Sequence, residues 1–250
     1  MSEFFVKCLM GGCMKKAVCL FFIVFVFLCA TVVCADVNSA KAFLKNIKWL
    51  GHDTFMITGE QLIYTDPFRL KDKDITGKAD IILITHEHRD HCSPEDVKKI
   101  QGPNTVIVTT PTCADKLSGN IKTAKPGDVF SIGNVHIEAV PAYNIDKKYH
   151  KKENNDVGYI FTVKGQRLYL AGDTDLIPEM KTFKNINIAF LPVSGTYVMT
   201  AEEAVKAALD IKPDIAIPMH YGTIIGTRMN AEKFAEELRG KIEVVILKEE

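Results

Sequence analysis

The chain has 250 residues, of which 47% are hydrophobic, and its 31 basic residues balance 31 acidic ones. This length suits one domain with an additional segment, and the apolar content is sufficient for a substantial core. Because the net charge is zero, the composition gives no electrostatic reason to expect nucleic-acid binding.

The first 35 residues have the composition of an export signal. A lysine pair precedes an apolar run from Ala17 to Val33, and small residues follow as far as Ala35. We expect either a signal peptide that is cleaved after Ala35 or an uncleaved membrane anchor, because the run is long for the first and short for the second. Either form would place the rest of the chain outside the cytoplasm, where it would be secreted, periplasmic or attached to a membrane.

Residues 36–45 are interpreted as a linker or a short helix, and residues 46–250 as a single folded domain. Most of the seven cysteines lie within the first 34 residues, which leaves Cys92 and Cys113 in the domain. Two cysteines are too few to indicate a disulfide framework, and neither belongs to a CxxC motif. We therefore expect each of them to be a small buried residue.

Short apolar runs bounded by turn residues predict an α/β domain. Helices are expected after Ser93 and Thr200, which are suitable N-caps. His136 alternates with apolar neighbours and is expected to be exposed. The predicted strands cover residues 47–50, 54–58, 62–65, 81–84, 106–109, 129–132, 135–140, 157–163, 167–170, 188–191, 215–218 and 242–247, and the predicted helices cover 94–100, 111–117, 201–210 and 230–239.

The densest run of candidate metal ligands follows the predicted strand at residues 81–84. That strand is continuously apolar, as expected for burial on both faces, and it leads into His86, His88, Asp90 and His91. Histidine and aspartate offer the nitrogen and oxygen donors that suit Zn, Mn or Fe. Because side chains two apart in an extended chain point the same way, His86 and His88 could hold one metal. Asp90 and His91 could then reach a second metal beside it.

The pattern His86-x-His88-x-Asp90-His91 after a buried strand resembles the metallo-β-lactamase superfamily. The resemblance is to its small metal-dependent hydrolases, which are akin to ascorbate-6-phosphate lactonases and, more distantly, to the phospholipase D type that acts on N-acyl-phosphatidylethanolamine. It covers nearly all of residues 46–250 and implies a four-layer αβ/βα sandwich with metals at one edge. The other segments that carry it are GHDTF at 51–55, TDPF at 65–68, AGDTD at 171–175 and PMHYG at 218–222.

The resemblance also assigns ligands outside the histidine motif. Asp173 matches the aspartate that bridges two metals, and His220 matches the last ligand. Superfamily members commonly carry a third histidine after the strand at 135–140, where this chain has Ala142-Tyr143-Asn144. His150 could complete the first metal's set instead, because a catalytic zinc usually has three protein ligands and a water. Asn144 is the alternative, as a weak oxygen ligand or as a hydrogen-bond partner of the substrate.

Four further residues have expected supporting roles. His52 lies on a glycine-led turn, either bonded to backbone or at the rim of the metal site. Asp66 is expected to orient a ligand histidine, and Asp175 to cap the turn that follows it. Tyr221 could donate a hydrogen bond to an oxyanion, with a packed tyrosine as the equal alternative.

The resulting expectation is a binuclear site that hydrolyses an ester, lactone or phosphodiester. Two divalent ions, zinc or else manganese or iron, would activate a water between them. Asp90 would exchange a proton, and Tyr221 or His52 would assist the oxyanion. In the ligand set that we expect, His86, His88 and His150 hold one metal, Asp90, His91 and His220 hold the other, and Asp173 bridges them.

Two other classes of function remain open at this point. A di-iron redox protein would use similar ligands, although such relatives normally carry a flavodoxin-like domain and no segment of this sequence fits one. A metal-binding module without catalysis would result if the loop from Asn144 to His150 left the site incomplete. The expected partner is a small-molecule substrate, with membrane attachment only through the N-terminal segment.

Overall fold

The structure is a computed structural model that describes residues 37–250. The predicted signal or anchor at residues 1–35 lies outside this described part. Its strands are β1 (Ile47–Trp49), β2 (Phe55–Thr58), β3 (Leu62–Thr65), β4 (Ala79–Leu83), β5 (Gln101–Thr109), β6 (Asn120–Thr123), β7 (Val129–Ile132), β8 (Val135–Pro141), β9 (Val157–Val163), β10 (Gln166–Leu170), β11 (Ile188–Pro192), β12 (Ile215–Met219) and β13 (Glu243–Val244). Its helices are α1 (residues 37–43), α2 (Pro94–Ile100), α3 (Pro111–Ala114), α4 (Ala201–Ile211) and α5 (Arg228–Leu238).

The strands form two mixed sheets. The first contains β1 to β6 in sequence order, and the second follows the order β13-β12-β11-β10-β9-β8-β7. Strands β3 to β6 are parallel to one another, and so are β10 to β13. The carboxyl ends of parallel strands meet at one edge of a sheet. The loops that follow β10 and β12 therefore share an edge of the second sheet, and the loop that follows β4 lies at an edge of the first.

Residues 81–83 of strand β4 are buried on both faces, as the continuous apolar sequence at 81–84 predicts, whereas Asp80 is exposed. Ile81 and Leu83 belong to the core cluster that both sheets share, whereas Ile82 and Ile84 belong to a second cluster with the buried face of α2. This division follows from the alternation of side chains along an extended strand. The strand that leads into the ligand motif is therefore held from both sides.

Helices cover the outer faces of the two sheets. In the core between the sheets, the ring of Phe55 on β2 lies 4.4 Å from that of Phe190 on β11, centroid to centroid. Helix α2 packs on the first sheet, and α4 packs on the second through Ala204, Ala208 and other buried residues. This order of layers is the predicted four-layer αβ/βα sandwich.

Two helices begin at the capping residues that the sequence indicates. Ser93 accepts a hydrogen bond from the Asp96 N–H, and Thr200 forms a capping box with Glu203. Among residues 37–250, no helix combines the length and the apolar character that crossing a membrane requires.

Residues 37–43 form helix α1, whose Ala40 and Phe43 are buried in the core, so this segment is a helix and not a linker. The other departures from the predicted elements lie mainly at exposed positions. Strand β6 has no predicted counterpart, because its Asn-Ile-Lys-Thr sequence is largely exposed at a sheet edge and shows little apolar alternation. The final strand is limited to Glu243–Val244, also at an edge, rather than residues 242–247. Helix α3 ends at Ala114 rather than residue 117. His136 is exposed, as predicted.

Cys92 and Cys113 form a disulfide, which corrects the expectation of two separate buried thiols. Both are buried, in the cluster between the first sheet and α2. Their separation of 21 residues carries no recognisable motif. The parallel pairing of β4 with β5 brings the segments after those strands together, so the contact depends on tertiary structure.

We expect this disulfide to stabilise the domain. Closing a loop of this length contributes about 3 kcal/mol by restricting the unfolded chain. The Cys92→Ala/Cys113→Ala variant should therefore lose about that much unfolding free energy in urea titrations followed by circular dichroism. Alkylation of the denatured, unreduced protein followed by peptide mapping is the companion measurement. Labelled Cys92 and Cys113 peptides from the native sequence would show that the bond does not form.

Candidate metal centre

The candidate ligands reach one site from five loops. The segment 86–91 follows β4, Asp173 follows β10, and His220 follows β12 directly. His150 lies in the long loop after β8, and His52 lies in the turn between β1 and β2. The structure thus brings together every residue that the sequence analysis assigns to a metal.

Gly172 makes the approach of Asp173 possible. Its φ of 64° lies in the left-handed region, and a Cβ there would lie 3.0 Å from the Thr85 Cβ and 3.2 Å from the Val157 carbonyl oxygen. A side chain at this position would therefore be both strained and crowded. The glycine lets the chain turn directly after β10 with the aspartate facing inward.

Three of the site histidines adopt left-handed backbone conformations. The φ angles are 52° for His52, 55° for His150 and 58° for His220. This region is costly for residues other than glycine, and such conformations concentrate at functional sites. The surrounding structure therefore holds these side chains in place against a local preference.

Three histidines form the first group of candidate ligands. The ring centroids of His86 and His150 are 4.6 Å apart, those of His86 and His88 are 4.9 Å apart, and those of His88 and His150 are 4.7 Å apart. One nitrogen of each ring lies within 4.8 Å of one nitrogen of the others. This is the set expected to hold the first metal.

The second group contains His52, Asp90, His91 and His220, whose donor atoms also lie within 4.8 Å of one another. The sequence predicts that His52 is either bonded to backbone or at the rim of the metal site, but the structure buries it inside this group, with 1% of its surface exposed. Its Nε2 lies 3.1 Å from Asp90 Oδ2, and its ring centroid lies 4.1 Å from that of His220. His52 is therefore a fourth candidate ligand as well as a partner of Asp90.

Asp173 lies between the two groups. Its Oδ2 is 3.2 Å from His150 Nε2 in the first group, while its Oδ1 is 3.2 Å from His220 Nε2 and 3.4 Å from His91 Nε2 in the second. Each carboxylate oxygen therefore faces a different group. This is the arrangement that a bridging carboxylate requires.

Hydrogen bonds behind the histidines fix which ring nitrogen faces the site. Nδ1 lies 3.0 Å from Thr85 Oγ1 in His86, 2.9 Å from Asp66 Oδ2 in His91, and 3.0 Å from Ser194 Oγ in His220. The Nε2 atoms are thereby directed inward. Such partners orient ligands and are characteristic of metal sites. Asp66 has the orienting role that the sequence predicts for it.

The unpaired atoms of the centre fit a bound divalent metal. The Nε2 atoms of His86, His91 and His220 and the Oδ1 atom of Asp173 are buried and have no hydrogen-bond partner within residues 37–250. An unsatisfied buried polar atom costs about 1–3 kcal/mol, so a cluster of them facing one another calls for a common partner. Imidazole nitrogens with carboxylate oxygens are the donor set of zinc and related metals.

The buried histidines and carboxylates of the centre shift one another's pKa values. Burial opposes charge on both His91 and Asp173. However, the nearby Asp173 and Asp66 carboxylates raise the pKa of His91 well above its usual value, and the His220 and His91 rings hold the pKa of Asp173 well below its own. Burial lowers the pKa of His86, which favours the neutral imidazole that binds metal.

The loop from Asn144 to His150 carries both candidates for the third ligand of the first metal. Asn144 Nδ2 donates hydrogen bonds to the carbonyl oxygens of Tyr149 and Tyr197, and its backbone N–H donates to the His150 carbonyl oxygen. The amide nitrogen thus holds the loop, whereas Asn144 Oδ1 is buried and has no hydrogen-bond partner within residues 37–250. His150 lies among the candidate ligands. Asp175 does not cap the turn that follows it. Its carboxylate accepts hydrogen bonds from the Ile145 N–H and from Lys147 Nζ.

The remaining predicted residues occupy different environments. Asp90 is 26% exposed and lines the cavities next to the centre. Tyr221 is buried in the hydrophobic core, with its ring 4.8 Å from that of Trp49, and burial raises its pKa to about 12. This position corresponds to the packed alternative, so we assign Tyr221 no part in the chemistry.

Asp53 is a buried residue of the centre for which the sequence predicts no role. Both of its carboxylate oxygens are buried and unpaired within the described residues, and Oδ2 lies 3.9 Å from His91 Nδ1. Burial, opposed by the His220 and His91 rings, raises its pKa to about 7. Its position directly after His52 in the GHDTF segment was the available signal.

Comparison with known proteins agrees with this fold and site. The model of the family described as "Beta-lactamase superfamily domain" matches residues 46–220. A UPF0173 metal-dependent hydrolase of Pyrococcus abyssi is 31% identical over 215 residues, covering 81% of this chain and 96% of that protein. The structure of a proposed metal-dependent hydrolase of Parabacteroides distasonis has 42% identity and a TM-score of 0.73, covering 81% of this chain and 93% of the other. Igni18, a metallo hydrolase of Ignicoccus hospitalis, shares the fold with a TM-score of 0.67 at 23% identity, over 81% of this chain and 94% of its own.

The fold and the histidine–aspartate clusters together define a metal-dependent hydrolase of the metallo-β-lactamase superfamily. Within that superfamily, the chain belongs to the UPF0173 metal-dependent hydrolases.

Replacing Asp173 with Asn should weaken metal binding by at least about tenfold, the scale of effects for groups that support a metal site. The reason is that the substitution removes the anionic carboxylate facing both ligand groups. Competition with a chromogenic chelator measures the affinity. Asp146→Asn, which changes an exposed carboxylate in the neighbouring loop, is the matched control and should bind metal like the native protein. Equal affinities for the native and Asp173→Asn proteins would contradict the bridging position.

Proposed function

We propose that this protein is a binuclear metal hydrolase that cleaves an ester, lactone or phosphodiester bond of a small molecule. The single observation that carries the proposal is the position of Asp173, with one oxygen toward each of two ligand groups. His86, His88 and His150 would hold one ion. Asp90, His91 and His220 would hold the other. Zinc suits this nitrogen-rich donor set best, with manganese or iron as alternatives.

The ions would contribute Lewis acidity, which lowers the pKa of a bound water from 15.7 to about 7 and so provides a nucleophile at neutral pH. The protein's own residues position and protect this chemistry. The hydrogen bonds at Nδ1 of His86, His91 and His220 hold the rings so that they need not reorganise.

Asp90 is the site carboxylate that we assign to proton transfer. It is partly exposed and lines the cavities, so its side chain can reach a bound substrate. Burial opposes its charge, but the hydrogen bond to His52 keeps the pKa of Asp90 well below its usual value. Asp90 is therefore ionised at neutral pH and able to accept a proton during turnover. His52 orients it, which is a different task from the oxyanion contact suggested by the sequence.

The purified protein, loaded with zinc, manganese or iron, should bind about two ions per chain, the stoichiometry of two-metal hydrolases. It should hydrolyse at least one of bis-p-nitrophenyl phosphate, p-nitrophenyl acetate and a simple lactone. His86→Ala and His220→Ala remove one member of each ligand group. Each should lose about one ion and lower kcat/KM by roughly 100-fold or more, because neither ion alone completes the site.

His136→Ala is the matched control, since this histidine is exposed on β8 away from the centre. It should leave both metal content and turnover unchanged. Two bound ions without turnover on the whole panel would favour a binding module, and redox activity dependent on iron would favour the di-iron alternative. One ion in the native protein would contradict the binuclear assignment.

We also propose that the domain acts outside the cytoplasm. The apolar segment at residues 17–33 suits export. The disulfide between Cys92 and Cys113 supports the same location, because such bonds persist in oxidising compartments.

Expression with residues 1–35 present should yield a mature chain that begins at Asp36, because the small residues before it suit a signal peptidase. Intact-mass spectrometry of the exported fraction is the measurement. An uncleaved chain in the membrane fraction would identify the segment as an anchor. A full-length chain in the cytoplasm with both domain thiols reduced would contradict export.

A further inference from the structure

Two exposed tyrosines form one wall of a cavity at the metal centre. The cavity has a volume of about 260 Å³, and Tyr149 and Tyr197 line it together with His88, His150 and Asp173. Tyr149 is 42% exposed and Tyr197 is 39% exposed, so neither ring is needed to fill the core. Large, partly exposed side chains beside reactive groups are candidates for contact with a substrate.

The rings of the two tyrosines form a corner. Their centroids are 5.6 Å apart and their planes meet at 80°. Tyr149 also lies 6.0 Å from His88 at an angle of 81°. Aromatic rings prefer edge-to-face and offset-stacked contacts. A planar ring entering this corner could make a face contact with one tyrosine and an edge contact with the other.

Hydrogen bonds hold the backbone of the two tyrosines, even though their rings are exposed. The Asn144 side chain donates to the carbonyl oxygens of both tyrosines, at 3.1 Å to Tyr149 and 2.6 Å to Tyr197. Lys147, in the loop of Tyr149, donates hydrogen bonds to the Val198 carbonyl oxygen next to Tyr197 and to the Asp175 carboxylate. These bonds hold the backbone of both tyrosines, so the segments that carry the rings need little rearrangement when a ligand binds.

Within residues 37–250, no hydrogen bond joins the hydroxyl group of Tyr149 or Tyr197 to another residue, so such bonds do not account for the position of the rings. We therefore take the rings of the two tyrosines, rather than their hydroxyl groups, as the features of this cavity that contact a ligand. Lys148 lies over the Tyr149 ring at 5.2 Å, on a flexible side chain that can move aside.

We propose that this corner binds a planar ring of the substrate, next to the bond that is cleaved, and that Tyr149 and Tyr197 determine this specificity. The proposal rests on the hydrolase function proposed above. It assigns to the substrate an aryl or other unsaturated ring attached close to an ester, lactone or phosphodiester group. The distance is short because His88, His150 and Asp173 line the same cavity as the two tyrosines.

The test compares phenylphosphonate with cyclohexylphosphonate, which share the anionic head and the number of ring carbons and differ in planarity. Binding to the metal-loaded full chain is measured by isothermal titration calorimetry. We expect phenylphosphonate to bind roughly fivefold more tightly, within the range that one or two aromatic contacts provide. Tyr149→Leu and Tyr197→Leu, which keep an apolar side chain, should each remove most of this preference without changing metal content.

Tyr149→Phe should retain the preference, since it keeps the ring. Ile224→Ala is the matched control, because Ile224 is an exposed apolar residue of the neighbouring cavity beside Phe68. It should leave the ratio of affinities unchanged. Equal affinity for the two phosphonates, or a preference that survives both leucine substitutions, would overturn the proposal.

The outcomes separate this proposal from the hydrolase function. A ring preference that depends on the tyrosines, in a protein with no hydrolytic activity, would support the ring site and refute the hydrolase function. Hydrolysis with equal binding of the two phosphonates would refute the ring site and leave the hydrolase function standing. Among hydrolysed esters of equal leaving-group pKa, the leucine variants should raise KM for aryl substrates and leave it unchanged for alkyl ones.

Discussion

The carboxylate of Asp173 is the constraint on which the metal centre depends. It is buried, and it faces His150 through one oxygen and His91 and His220 through the other. These histidines come from three loops that are far apart in sequence. A buried carboxylate is stable only beside compensating charge, so positive charge at the centre, on protons or on metal ions, is what allows the loops to close around it. For this reason the packing of the loops at this edge of the sandwich depends on the same charged groups that form the candidate metal centre.

Hydrogen bonds behind the candidate ligands explain how strand β4 positions the loop that carries them. Thr85, directly after β4 and Ile84, donates its N–H and its hydroxyl to Asp66, and the same Asp66 carboxylate holds His91 Nδ1. Asp66 in turn follows β3, which pairs with β4. The position of the ligand loop is thus tied to the register of two central strands, and the apolar contacts on both faces of β4 stabilise that register.

The sequence predicts those features that depend on local pattern. The buried strand at 81–84, the capped helix starts at Ser93 and Thr200, and the exposed His136 follow from periodicity and capping chemistry, and the structure agrees with each. The features it misses depend on distant contacts. The disulfide requires β4 and β5 to be paired, and the true partner of Asp175 is Lys147 in a loop 28 residues earlier. The burial of His52 depends on His220, which no local pattern connects to it. Strand β6 escapes detection because an exposed edge strand needs little apolar sequence.

The departure at residues 142–144 links the ligand set to specificity. Where superfamily members commonly have a histidine, this chain has Asn144, and His150 from further along the loop lies among the candidate ligands. The intervening residues must then cross the mouth of the centre, and they place Tyr149 there, immediately before His150. Asn144 holds this arrangement by bonding the loop to Tyr197 on the opposite segment. The fold itself is shared by enzymes of different chemistry, so specificity has to come from loops of this kind. In this protein one loop carries both a candidate metal ligand and Tyr149 of the proposed ring site, so we expect alterations of that loop to affect metal binding and substrate choice together.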